Sequence, residues 1–175
     1  MKPQKPFKIL FLCTGNSARS ILAEYLIRKI GQGRFESFSA GSDPRGSVNP
    51  YAIRILKDIY RIDAEAARSK AWNGFLDTQT DFDFVITVCD DAKESCPVFP
   101  GQPVTAHWSS PDPATFEGDD RAIYNFFVKV ALQIQRRIEL LCCLPFEKLD
   151  ALRLQQMTRE IGDSEKFIHP HHDHP

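Results

Sequence analysis

The chain has 175 residues, with 22 Lys and Arg against 23 Asp and Glu, a formal net charge of -1, 42% hydrophobic residues and 26% charged ones. That length and apolar fraction fill one compact domain with room for a small appendage, and the even charge balance lacks the basic excess of a nucleic-acid binder. No apolar run approaches the roughly 20 residues of a membrane span, and the run Ile9 to Leu12 is too short for a secretory signal, so a cytoplasmic protein is expected.

Taken in chain order, Phe7 to Leu12 (FKILFL) is a continuous apolar run with aromatic and β-branched members and predicts a buried strand. Cys13 to Ser17 is polar and contains Gly, so it predicts a turn. From Ser20 to Ile30 the apolar residues Ile21, Leu22, Tyr25, Leu26 and Ile30 fall at helical spacing, and Gly31 and Gly33 end the run. Phe35 to Ala40 alternates weakly as a second strand, and Gly41 to Gly46 reads as a loop. Asn49-Pro50 marks a helix start. Phe82 to Val88 is the clearest strand in the chain, and Pro103 to Trp108 predicts a fourth. Arg121 to Leu144 is a long amphipathic helix stopped by Pro145. Phe146 to Ile161 reads as one further helix. Strands alternating with helices predict an α/β fold, with βαβ units on a mainly parallel sheet whose ligands bind at the carboxyl ends of the strands. Cys13 and Cys89 each follow a strand, so one end of the sheet can bring both thiols together.

Five cysteines occur, at 13, 89, 96, 142 and 143. An odd count argues against a secreted disulfide scaffold, and the absence of any C-x-x-C pair argues against a metal site. Packing and thiol chemistry remain. Cys142 and Cys143, in the apolar helix end LLCCLP, read as packing residues.

The segment Cys13-Thr14-Gly15-Asn16-Ser17-Ala18-Arg19-Ser20 has the form C-x5-R-S between a strand and a helix. A tight turn entering a helix points backbone N–H groups inward and forms a nest for a tetrahedral oxyanion, helped by the partial positive charge of the helix N-terminus. That field, with Arg19 beside it, is expected to lower the Cys13 pKa and favour the thiolate. Arg19 can grip two anion oxygens with its planar fork. Gly15 is expected to supply a backbone conformation closed to other residues, Asn16 to tolerate left-handed geometry, and Ser20 to donate a hydrogen bond to the Cys13 sulfur. The C-x5-R spacing alone is a weak motif, equally suited to a buried cysteine at a strand end; its placement after an apolar strand favours chemistry.

These residues, with FSAGS (38–42), NPYAIRIL (49–56), RSKAW (68–72), VITVCDDAKESCPVFPG (85–101) and HWSSPDPA (107–114), resemble the low-molecular-weight protein tyrosine phosphatase family, and in particular its thioredoxin-coupled arsenate reductases. The resemblance covers roughly residues 7 to 143, and the segment 144–162 looks like an extension carried by some of these reductases. It implies a three-layer α/β/α fold with a four-stranded parallel sheet over 1–143 and a helical annex over 144–162; the polar composition of 163–175 reads as a disordered tail. The resemblance also implies reduction of arsenate to arsenite. Cys13 would be the nucleophile, Thr14 to Arg19 the oxyanion loop, Ser20 the partner of the sulfur, and Asp112 the general acid. Cys89 and Cys96 would receive the disulfide in turn, with thioredoxin as external reductant and no tightly bound cofactor. A monomer that binds neither nucleic acid nor membrane is expected.

The same loop suits a phosphatase acting on phosphotyrosine, which needs one thiolate only. Here Ala114-Thr115-Phe116 follows Asp112-Pro113 in place of that branch's tyrosine pair, and the loop after Ser42 lacks an aromatic to stack on a tyrosine ring. A non-catalytic thiol sensor is a third reading, disfavoured by the intact set of Arg19, Ser20 and Asp112. Some relatives bind potassium at positions matching Asn16, Glu24, Ser39 and Lys70; a lysine there would repel the ion, and its ammonium is expected to replace it and hold Asn16. The His-rich end HPHHDHP reads as a polar tail without an assigned role.

Overall fold

The computed structural model describes residues 4–164. The His-rich end, and the polar tail from residue 165 onward, lie outside the described residues.

Four strands form one parallel sheet in the order β2-β1-β3-β4: β1 Phe7–Cys13, β2 Phe35–Gly41, β3 Phe84–Thr87 and β4 Val104–His107. The chain leaves β1 to one side for β2 and to the other for β3. The crevice at the strands' carboxyl ends therefore opens beside β1, the usual place for a ligand in such a sheet. Cys13 stands there in register with Gly41, and Leu12 with Thr87.

Strand alternation divides β1 between two cores. Ile9, Phe11 and Cys13 face the larger one, which is built with α1 (Arg19–Ile30), α2 (Pro50–Asp58) and α5 (Asp120–Cys142). Leu10 and Leu12 face the smaller one, with Phe82, Val85, Phe99, Cys96 and residues of α3 (Asn73–Asp77). The sheet thus lies between two unequal layers.

Local chemistry sets the helix ends. Asn49 caps α2 by accepting from the Tyr51 N–H at 2.9 Å, and Pro50 takes the first helical position, where a missing N–H costs nothing. Asp119 caps α5 through the Ala122 N–H at 2.8 Å. The stretch expected as one helix over Phe146 to Ile161 is divided. A 3-10 turn, Phe146–Lys148, precedes α6, Ala151–Asp163, because Asp150 accepts from the Arg153 N–H at 2.7 Å and starts a new helix. Two short helices, α3 and α4 (Asp90–Ser95), complete the set.

The carboxy-terminal elements are packed into this body. Phe146 sits 4.9 Å from Phe7, 5.8 Å from Phe84 and 5.9 Å from Phe35, ring centre to ring centre. Such pairs add about 0.5–1.5 kcal/mol each beyond their buried area. Helix α6 runs along β4, the edge strand. The Gln155 side chain accepts from the Thr105 N–H at 2.9 Å and donates to the Thr105 carbonyl, so one amide takes the place of a neighbouring strand. A free edge is a template for unwanted pairing, and this one is covered. Among the described residues, no helix is long and apolar enough to cross a membrane.

Candidate active site

The turn after β1 carries Cys13 to the crevice and feeds directly into α1. Cys13 is buried, 3% exposed, and its Sγ lies 2.8 Å from the Ser20 Oγ and receives the Asn16 backbone N–H at 3.0 Å. Asn16 is fully buried and adopts the left-handed conformation, φ 42°. Its side chain donates to Ser20 Oγ at 2.8 Å and to Ser39 Oγ at 3.0 Å, and accepts from the Lys70 backbone N–H at 2.8 Å. One amide therefore ties the turn to α1, to β2 and to the segment before α3. Gly15 is not the left-handed residue. The expectation placed there is corrected: its missing Cβ makes room for Arg45 instead, whose Nε would lie 3.1 Å from such an atom.

Thr14, Gly15, Asn16, Ser17, Ala18 and Arg19 line a cavity of 210 Å³ with Cys13 at its floor and Asp43, Arg45, Asp91 and Asp112 around it. Arg19 donates to the Ser110 carbonyl at 2.9 Å, and its other terminal nitrogen stands 3.3 Å from Asp112 Oδ2. Asp112 in turn accepts from the Ala114 N–H at 3.0 Å, which fixes its carboxylate at the start of a 3-10 turn.

The expected lowering of the Cys13 pKa is not found. Burial pushes the thiol above its ordinary value, and the Ser20 hydroxyl, the Arg19 guanidinium and the Asn16 N–H pull only partly against it, while Cys89 adds to the rise. Withdrawing the sulfur from water disfavours the charged form more than these neighbours favour it.

Cys89 follows β3, is 3% exposed, and its Sγ lies 3.4 Å from the Thr14 hydroxyl, at the residue after Cys13. Cys96 is elsewhere. It is half-buried in the smaller core, with its Sγ 3.5 Å from the Pro97 carbonyl, beside a 620 Å³ groove lined by Val85, Phe99 and Pro103. The structure thus brings Cys13 and Cys89 together and leaves Cys96 apart. Cys89 and Cys96 cap the two ends of α4. His107 on β4 holds Asp90, the first residue of that helix, at 2.7 Å, and is itself bonded to Thr87 Oγ1 at 2.8 Å.

The Lys70 ammonium stands 3.7 Å from Glu24 Oε2 and donates to the Arg68 carbonyl at 2.9 Å. The expectation that it holds Asn16 is corrected: the Lys70 backbone N–H does so. Buried Glu24 is further bonded to Ser39 and Arg28. Of the two cysteines expected to pack, Cys142 packs partly against the core, but Cys143 is exposed at the end of α5. Among the described residues, no cluster of three His, Cys, Asp or Glu side chains could hold a metal ion.

A strand-end thiol with a buried hydroxyl partner, faced by an Arg–Asp pair across a small cavity, is the arrangement of a cysteine-dependent enzyme. Residues 8–151 match the family described as low molecular weight phosphotyrosine protein phosphatase, and the chain belongs to that family. Its relatives include the arsenate reductase of Oceanobacillus iheyensis, 35% identical over 131 residues that make up 75% of this chain and 91% of that one. Among solved structures, the arsenate reductase of Archaeoglobus fulgidus superimposes with a TM-score of 0.59 at 28% identity, covering 77% of this chain and 98% of that one. A thioredoxin-dependent arsenate reductase of Corynebacterium glutamicum does so with a TM-score of 0.55 at 27% identity, over 76% of this chain and 60% of that one.

Sequence reasoning missed the anchors. The Ser110 carbonyl that holds Arg19 carries no side-chain signal. Arg45 is one charge in a polar loop. Arg137, 1% exposed, was detectable: it falls on the apolar stripe of α5 with Ile134, Ile138 and Leu141.

Proposed function

We propose that this enzyme reduces arsenate to arsenite in the cytoplasm, as a monomer, through a relay of Cys13, Cys89 and Cys96 that thioredoxin resets. The observation that carries the reading is the second buried thiol: Cys89 stands 3.4 Å from the hydroxyl of Thr14, beside the nucleophile's own residue. A hydrolase has no use for it; a reductase needs two electrons, which a pair of thiols supplies by becoming a disulfide.

The chemistry follows from the residues. Arsenate enters the Cys13 turn and takes up the N–H donors of Arg19 that face Asp112. Cys13 passes its proton to the bound arsenate dianion and attacks arsenic as thiolate; an arsenic–oxygen bond breaks, and Asp112 delivers the proton that lets the oxygen leave as water, because oxide and hydroxide leave poorly near neutral pH. The Cys89 thiolate then attacks the Cys13 sulfur. The sulfur–arsenic bond breaks with its electron pair going to arsenic, so arsenite departs and a Cys13–Cys89 disulfide remains. Cys96 attacks Cys89, frees Cys13 as thiolate and leaves a Cys89–Cys96 disulfide for the thioredoxin dithiol. In helical geometry the caps of α4 are about 10 Å apart along the axis, whereas a disulfide needs Cα atoms within about 7 Å, so this third step unwinds α4. A relay of free thiols belongs in a reducing compartment.

Arg45 at the mouth, where a phosphotyrosine enzyme needs an aromatic wall, fits a small anion better than an aryl ester. Arsenate-dependent NADPH oxidation with thioredoxin and thioredoxin reductase, run beside a phosphotyrosine-peptide control, tests the reading. Steady arsenate turnover without peptide hydrolysis is expected; rapid peptide hydrolysis without arsenate turnover would make this a phosphatase whose Cys89 and Cys96 are structural.

A further inference from the structure

Helix α6 ends at Asp163, 20 residues after Cys143, and nothing in the relay calls for it. Its last turn nevertheless reaches the candidate site through one side chain. Arg137 of α5 is 1% exposed. It donates to the Ser109 carbonyl at 2.7 Å, to Ser110 Oγ at 3.2 Å and to the Gly162 carbonyl at 3.3 Å. A buried guanidinium is costly unless it is hydrogen-bonded, and here both terminal nitrogens have carbonyl acceptors. Two of these acceptors lie in the segment after β4, and the third is a last-turn carbonyl of α6. Such carbonyls lack a helical partner and carry the negative end of the helix dipole, so a cation suits them.

Ser110 is the junction. Its side chain is held by Arg137, its N–H donates to the Val88 carbonyl at 3.2 Å beside Cys89, and its own carbonyl holds Arg19 at 2.9 Å. Asp112 stands two residues further on, 3.3 Å from Arg19. The approach of α6 is close. A Cβ on Gly162 would lie 2.2 Å from the His107 carbonyl oxygen and 2.8 Å from Trp108 Cδ1, and the Trp108 indole N–H donates to the Thr158 carbonyl at 3.0 Å. Only glycine allows this contact.

We propose that Arg137 is a positioning residue through which the carboxy-terminal helix α6 sets the segment Trp108 to Asp112, and with it the Asp112 carboxylate, against the Cys13 turn. This rests on the reading of Asp112 as the acid; Arg19, the oxyanion ligand, is carried by the Cys13 turn and the first turn of α1. The Cys13 turn has its own ties, through Asn16, Ser20 and Ser39, and does not depend on α6. Loosening α6 therefore impairs proton delivery more than anion capture.

The test uses the full chain carrying Gly162→Ala, which pushes α6 off its seat, and separately Arg137→Lys, which keeps the charge but cannot fork between Ser109 and Gly162. Hydrogen exchange at residues 108–112, kcat for arsenate, and affinity for inorganic phosphate are read together. Expected are faster exchange at 108–112, a kcat lower by about tenfold or more, and a phosphate affinity within about threefold of wild type. Unchanged exchange, or faster exchange with unchanged kcat, overturns the proposal and leaves α6 a packing element; so does a loss of phosphate affinity as large as the loss of kcat. If wild type itself does not reduce arsenate, the reductase reading fails, and the same comparison with aryl phosphate hydrolysis, which uses Cys13, Arg19 and Asp112 alone, still decides the role of α6.

Discussion

The two ends of the thiol relay are built differently. The Cys13 turn is buried and over-determined: Asn16 and Ser20 are fully buried, and each ties the turn to neighbouring elements. The Cys89–Cys96 segment is short and lightly held. Buried Ala92 and the Asp90–His107 contact anchor α4, while the Asp90 side chain is 78% exposed and Val98 beyond Cys96 is 94% exposed. Capture of a tetrahedral anion needs donors fixed in advance, because a misplacement of about 1 Å can cost a hundredfold in rate. Passing a disulfide from Cys89 to Cys96 needs a helix that opens. Rigidity and looseness are thus assigned to different steps and sit side by side on adjacent strands.

The largest expected effect breaks the capture side. Cys13→Ser removes the nucleophile and takes arsenate-dependent NADPH oxidation to background, while the Tm stays close to wild type because Ser matches Cys in size. Asn16→Ala leaves the Lys70 N–H without its acceptor and takes one donor from each of two buried hydroxyls, which keep Cys13 and Glu24. It is expected to cost about 1–3 kcal/mol, seen in urea unfolding, with arsenate turnover falling as well. An unchanged unfolding midpoint would mean that the turn is held by something else.

Cys13 also predicts a pH dependence. Its pKa is raised by burial, so in the free enzyme the thiolate forms at a higher pH than in an unperturbed thiol. Iodoacetamide alkylation of Cys13 in the free enzyme is expected to rise with a midpoint above about 8.5, the value of an unperturbed thiol. The preference of the fold for the neutral thiol is present below the unfolded-state pKa and lost as pH rises through the folded one. A midpoint near 7 would show that the turn stabilises the thiolate more than burial opposes it.

The loose side of the comparison gives a smaller effect. Asp90→Asn weakens the hold of His107 on α4. The pair is exposed, and exposed pairs contribute about 0.2–1 kcal/mol, so hydrogen exchange over residues 90–95 is expected to quicken by only about two- to fivefold. No change would mean that Ala92 alone seats the helix.

Long elements were legible in the sequence because their signals were long. The run FKILFL and the periodic stretch over α5 gave a strand and a helix within a residue or two of their ends. The Cys13 turn was legible because a polar C-x5-R-S segment between such elements has few other uses. Helix α3 was not: NGFLD is one turn with a Gly inside it. The break before α6 was marked by Asp150, a capping residue ahead of an apolar-periodic run, and was hidden by the helical composition on both sides. The direction of the Cys13 pKa shift was not legible, because a motif displays its favourable neighbours and says nothing about how deeply the fold buries the sulfur. The polar run Asp90 to Ser95 left room for a short helix between Cys89 and Cys96, but which core receives each cap was not legible.

The most direct test of the division between capture and relay is a single turnover of Cys96→Ser with arsenate, quenched by alkylation and mapped by mass spectrometry. The account predicts one arsenite released per chain and a Cys13–Cys89 disulfide that persists. Multiple turnovers with thioredoxin, or a Cys89 recovered alkylated after arsenite has been released, would contradict it.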